Sequence, residues 1–182
     1  NVAVGKDALL ANVSGQQNVA IGVCALNANT GYNNVAVGYQ ALDANIGGDS
    51  NVAVGLHSLL LNTTGNYNVA VGRKALCSNT TGLTNVAIGL TALNDNTEGT
   101  NNIAIGCAAL LDHSTGNNNV AIGVATLFDN TTASDNTALG SYSMVKNTTG
   151  TANLAAGTNA MACNTTGAYN VAVGANAGLL HT

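Results

Sequence analysis

The chain has 182 residues, with Lys+Arg 4 against Asp+Glu 8, no Pro, no Trp, one Phe and 22 Gly; 7% of its residues are charged and 46% hydrophobic. An ordinary globular domain carries about 25% charged residues and more aromatic volume, so a conventional globule is excluded. A membrane-spanning helix is excluded because the apolar runs are short where about 20 residues are needed, and nucleic acid because Lys6, Arg73, Lys74 and Lys146 make no basic stripe for phosphates to follow.

The chain opens with Asn-Val-Ala-Val-Gly, and close variants return at Asn18, Asn34, Asn51, Asn68, Asn85, Asn102, Asn119, Asn136, Asn153 and Asn170. The period is 17 residues, except that the second copy is one residue short. Asn holds the first place of every copy, Ala the third and Gly the fifth, from Gly5 and Gly22 to Gly174. The second and fourth places are aliphatic apart from Thr137 and Ala156. Leu holds the ninth place from Leu9 to Leu127, followed by Met144, Met161 and Gly178; the twelfth is Asn except at His113 and His181.

Each copy therefore predicts a short strand first. Val2 and Val4 leave one face and Ala3 the other, and the Val face together with Leu9 is expected to form the interior. Gly5 then either takes a backbone angle closed to other residues or lets another backbone come close. The segment ending in Ala-Leu reads as a second short strand in preference to a helical turn. The Asn-Thr-Thr-Gly stretch that closes many copies is turn chemistry.

A single coil cannot bury enough apolar surface to offset the ordering of its own chain, so copies must stack and stability becomes a nearest-neighbour property. The predicted fold is all-β: a parallel β-solenoid (β-roll) of about 17 residues per coil and about eleven coils, one array over 1–182 without caps. Stacking at about 4.8 Å sets the first-place residues, Asn1, Asn18, Asn34, Asn51, Asn68, Asn85, Asn102, Asn119, Asn136, Asn153 and Asn170, into an Asn ladder.

Asn-Val-Ala-Ile-Gly followed by a small-residue segment and a Gly turn resembles the head repeat of YadA-type trimeric autotransporter adhesins. Copies such as Asn-Val-Ala-Val-Gly-Arg-Lys-Ala-Leu-Cys-Ser-Asn-Thr-Thr-Gly resemble repeat arrays of phage and large-virus fibres. The resemblance spans the whole chain and implies a left-handed roll, often trimeric, displayed on a cell or virion surface for attachment. The adhesin coil is shorter, at about 14 residues, and its neck, stalk and anchor have no counterpart here. On this reading the Ala column is either the seam between subunits or a second interior layer within one chain.

Candidate chemistry is sparse. Cys24, Cys77, Cys107 and Cys163 fall two or more coils apart, too far for an intrachain bridge, and match no zinc or redox spacing. His57, His113 and His181 join no nucleophile-base set, and His113 reads as a hydrogen-bonding stand-in for Asn. Asp95, Asp112 and Asp129 share one column, a repelling solvated edge in preference to a cation ladder. No catalytic residue, metal site or cofactor is predicted.

Asn12, Asn62, Asn79, Asn130, Asn147 and Asn164 each begin an Asn-x-Ser/Thr sequon at the twelfth place. They are either glycan acceptors on exposed turns or simply turn residues. Adjacent Thr pairs such as Thr63-Thr64 point to opposite sides, which disfavours an ice-binding face.

The expected function is a non-enzymatic structural fibre outside the cell or on a virion, with an export signal or anchor lying outside these residues. It would self-associate by head-to-tail stacking, as a homotrimer, or both. The alternative is an adhesin or tail-fibre module that recognises host glycans through Tyr39, Leu56, Arg73 and Phe128.

Overall fold

The computed structural model describes residues 1–179, so the twelfth-place reading of His181 lies outside the described residues. The described chain is a parallel β-solenoid without helices. Its strands are β1 (Val2–Val4), β2 (Val19–Ile21), β3 (Val35–Val37), β4 (Val52–Val54), β5 (Val69–Val71), β6 (Val86–Ile88), β7 (Ile103–Ile105), β8 (Val120–Ile122), β9 (Thr137–Leu139), β10 (Leu154–Ala156) and β11 (Val171–Val173). They form one 11-stranded sheet in sequence order, and every neighbouring pair is parallel. Val2 pairs with Val19, Ala3 with Ala20 and Val4 with Ile21, so identical places lie on one another from coil to coil.

The predicted interior is inverted at the strand. Ala20, Ala36, Ala53 and the column on to Ala155 are fully buried, whereas Ile88 and Ile122 are each 39% exposed; in the first coil Val2 is 52% exposed and Ala3 is exposed too. A coil of this circumference encloses a thin core, filled by the Leu column from Leu26 to Leu127 and by small residues facing it from the strand and from the eighth place. A β-branched side chain on the inner strand face would collide with those leucines, because close-packed interiors do not absorb extra methyl groups. The Ala column is thus the second interior layer, not a seam between subunits.

The predicted second strand is also absent. The sixth to eleventh places form a run of turns, and the seventh and ninth places take left-handed backbone angles, as at Lys74 (φ 57°) and Leu76 (φ 51°). These turns still hydrogen-bond between coils: Leu9 N–H donates to the Ala25 carbonyl at 3.0 Å and Cys24 N–H to the Lys6 carbonyl at 2.9 Å. An L-residue in this region costs about 1–2 kcal/mol. Leu76 is held there by its fully buried side chain, the kind of surrounding constraint that keeps a strained angle populated.

Gly at the fifth place serves both purposes read from the sequence. Gly55 has φ +134°, and a Cβ there would lie 2.5 Å from the Gly72 carbonyl oxygen and 2.7 Å from its carbon. The short second coil keeps every column in step, because its missing residue falls in the final turn: Asn34 N–H still donates to Asn18 Oδ1 at 2.8 Å across 16 residues.

Two substitutions check this backbone. Gly55→Ala should lower the unfolding free energy by about 3 kcal/mol or more, since it combines a forbidden angle with a backbone clash. Lys74→Gly at the half-buried seventh place should be neutral or stabilising by up to about 1 kcal/mol, and Lys74→Val destabilising, because glycine takes the left-handed angle without penalty and a branched residue resists it more than lysine does. Denaturant unfolding of the three variants measures the ordering.

Candidate functional site

Two Asn ladders run along the solenoid, the second of them interrupted at His113. At the first place, the carboxamide Oδ1 accepts the backbone N–H of the Asn one coil on, as from Asn51 to Asn34 at 2.9 Å and from Asn102 to Asn85 at 2.9 Å. Its Nδ2 donates to the carbonyl that ends the same coil, as from Asn51 to Gly65 at 2.8 Å. The predicted ladder is therefore present, but its shortest links between coils join side chain to backbone; direct amide contacts are longer, as from Asn68 Nδ2 to Asn51 Oδ1 at 3.3 Å.

The shorter amide-to-amide ladder lies at the twelfth place, which the sequence presented as a turn. Asn62 Nδ2 donates to Asn45 Oδ1 at 2.8 Å, Asn79 to Asn62 at 2.8 Å and Asn96 to Asn79 at 2.7 Å. The same Nδ2 groups also donate within their own coil, as from Asn62 to the Gly65 carbonyl at 3.0 Å. Gly65 thus receives a side chain from each ladder, as do Gly48 and Gly82 on the neighbouring coils, so the two ladders brace one another. The sequence signal was available: the twelfth place holds Asn nearly as uniformly as the first.

This corrects the exposed position expected of the sequons. Asn62, Asn79, Asn130, Asn147 and Asn164 are fully buried, and only Asn12, in the first coil, is partly open. A glycan on Nδ2 would replace an N–H used in the ladder and would have to pass through the coil wall. The outward residue of each such turn is Thr instead: Thr64, Thr81, Thr132 and Thr149 are exposed, while Thr63 and Thr80 spend their hydroxyls on the next coil's carbonyl at 2.9 and 3.0 Å.

The outer surface carries three features. The first is the strand face: of the two outward places on each of the 11 strands, only Thr137 and Ala156 are not Val, Ile or Leu. It makes an apolar band roughly 50 Å long and 10 Å wide by strand spacing, at the upper end of what a single soluble chain exposes. The second is the edge beside it. Tyr39, Leu56 and Arg73 occupy the sixth place of successive coils, and the Tyr39 and His57 rings lie 5.6 Å apart at 51°. His57 Nε2 meets Gln40 Oε1 at 3.1 Å, and Gln40 Nε2 donates to Asp43 Oδ2 at 3.3 Å. Phe128, at the tenth place, is not part of that column.

The third feature is the acidic column. Burial first, and then the charges of Asp129 and Asp95, push the Asp112 carboxyl above the usual carboxylate range. Among the described residues, no three His, Cys, Asp or Glu side chains converge as metal ligands. The four cysteines are separate free thiols, and burial pushes the Cys77 thiol up.

No protein-family model, curated protein or solved structure matches the chain.

Two outcomes follow from the side chains. Asn79→Ala should cost roughly 2–4 kcal/mol, since it strips partners from buried groups on both neighbouring coils, whereas Thr81→Ala on the surface of the same turn should change stability by less than about 0.5 kcal/mol. The raised Asp112 carboxyl opposes folding when ionised, so the folded array gains stability as pH falls through the raised value and loses it as pH rises. Asp112→Asn should therefore raise the Tm near neutral pH, and the difference should vanish once the wild-type carboxyl is protonated; thermal scans from pH 3 to 7 read both.

Proposed function

We propose that this chain is a non-enzymatic rod segment of a fibre displayed outside the cell or on a virion, in which copies associate side by side through the Val/Ile strand face. The observation that carries the reading is the inversion of the strand. A sequence that buries alanine and turns two columns of β-branched residues outward keeps an apolar band that its own fold does not need. Such a band is the kind of surface that obligate assemblies cover. The resemblance to YadA-type heads and viral fibre repeats supports the same reading and favours a trimer. In that arrangement the inward-facing strands of the copies would form a shared core.

Stacking of coils end to end is a second mode of self-association. The two modes separate by mutation. Sedimentation of the natural chain should show an oligomer, and replacing Val71 and Ile105 with Lys should give monomers that keep the β-rich circular dichroism of the wild type. A monomeric wild-type chain defeats the lateral assembly, and oligomers unaffected by the two lysines transfer it to the ends.

The Tyr39 edge favours a second reading, a module that binds host-surface glycans. An exposed aromatic ring supplies a flat apolar platform, and His57, Gln40 and Asp43 beside it form a side-chain relay across two coils. Arg73 and Lys74 on the next coil add two cations with no ion-pair partner among the described residues, which suits a carboxylated or sulfated sugar. Binding to an array of acidic glycans should disappear in a Tyr39→Ala, Arg73→Ala variant; equal binding by that variant and the wild type assigns recognition to another surface.

A further inference from the structure

Neighbouring coils are joined by a repeated pattern of bonds, so a joint that lacks one of them stands apart. At the twelfth place the Nδ2 of each coil donates to the Oδ1 of the coil before it. Asn45 reaches Asn29 at 2.7 Å, Asn62 reaches Asn45 at 2.8 Å, Asn79 reaches Asn62 at 2.8 Å and Asn96 reaches Asn79 at 2.7 Å. The run stops at the coil 102–118, whose twelfth residue is His113.

The fully buried His113 ring has both nitrogens engaged elsewhere. Nε2 lies 2.8 Å from the Gly116 carbonyl oxygen of its own coil. Nδ1 lies 3.0 Å from the Asn130 carbonyl oxygen and 3.2 Å from Asn130 Nδ2, on the coil that follows. Protonated or neutral, the ring bonds to those partners and has no N–H for the coil before it. Asn96 Oδ1, on a fully buried side chain, is left without a donor.

Two further features fall on the same joint. Asn94 Oδ1 is also buried without a partner, so the coil 85–101 carries two of the three such side-chain atoms among the described residues. Between them in sequence, Asp95 shares the eleventh place with Asp112 of the next coil, and like charges on paired neighbours repel.

We propose that the joint between coils 85–101 and 102–118 is a built-in parting line, where the interior of the array opens first and divides into two cooperative blocks, 1–101 and 102–179. In stacked repeats each neighbour contact contributes its own share of stability, so the weakest contact decides where the interior opens. An orphaned buried acceptor weakens a contact twice over, because the bond is missing and the oxygen has still been taken out of water. The remaining bonds hold the joint closed in the native state. Leu93 N–H donates to the Ala109 carbonyl at 2.9 Å and Thr97 N–H to the Ser114 carbonyl at 3.0 Å. The first-place ladder crosses too, with Asn102 N–H on Asn85 Oδ1 at 2.9 Å.

Amide hydrogen exchange of the full chain at neutral pH tests the parting line, with each rate corrected for its intrinsic value. Val86, Leu93, Thr97, Gly106 and Ala108 donate across it, and Val52, Leu59, Thr63, Gly72 and Lys74 hold the same places across the joint between 51–67 and 68–84. The first set should exchange together, roughly tenfold or more faster than the second. His113→Asn gives Asn96 Oδ1 a donor and should bring the two sets level. Asn62→His takes the donor from Asn45 Oδ1 and should speed exchange at Val35 and Leu42, which donate across the joint between 34–50 and 51–67. Asp112→Asn should leave a difference between the two sets. Equal exchange of both sets in the wild type, a difference that persists in His113→Asn, or one that Asp112→Asn alone abolishes overturns the proposal.

Discussion

The constraint on which the rest of the structure depends is the thinness of the coil. A turn of about 17 residues is too small to enclose its own core or to satisfy its own backbone, so most of its backbone hydrogen bonds run to a neighbouring coil. Buried carboxamides are the side chains suited to this exchange, because each carries donors and an acceptor that can be spent in three directions at once. The same geometry makes any interior change propagate both ways along the axis. That is why identity is strictest at Asn, Ala and Gly, and loosest at the sixth, tenth and eleventh places, which face solvent.

A thin core also decides which face of the strand points outward. In a larger domain the β-branched residues would go inside and the alanines out. Here volume outranks hydrophobicity, since Leu from the opposite wall already fills the cross-section and leaves room only for a methyl group. Packing thus decides that alanine faces inward, whereas the Val and Ile of the outward places are not required by the interior.

The repeat, its register and its parallel stacking were legible in the sequence because a strict period can be converted to contact only by superposition, and Val2 does lie on Val19 and Val35. The alternation of Val and Ala was legible too, but alternation gives two faces without saying which is inside. That required the diameter of the coil, which no single copy encodes. The stretch ending in Ala-Leu was misread as a strand because left-handed angles at residues such as Lys74 and Leu76 carry no local signal; neither is Gly, Asn or Asp. The second ladder was obscured by a sequon motif with a familiar alternative meaning. The distinction lay in the company the Asn keeps, a Gly three residues later whose carbonyl receives the amide, as in Asn62 and Gly65.

The second coil, with 16 residues between Asn18 and Asn34 where the others have 17, shows where the design has slack. Its missing residue is taken from one corner, and the columns on either side remain in phase. Such a ribbon can lengthen by gene duplication in whole coils, and can survive a single-codon deletion at that corner, without rewriting any contact elsewhere. Length is thereby separated from fold, and can change in units of one coil.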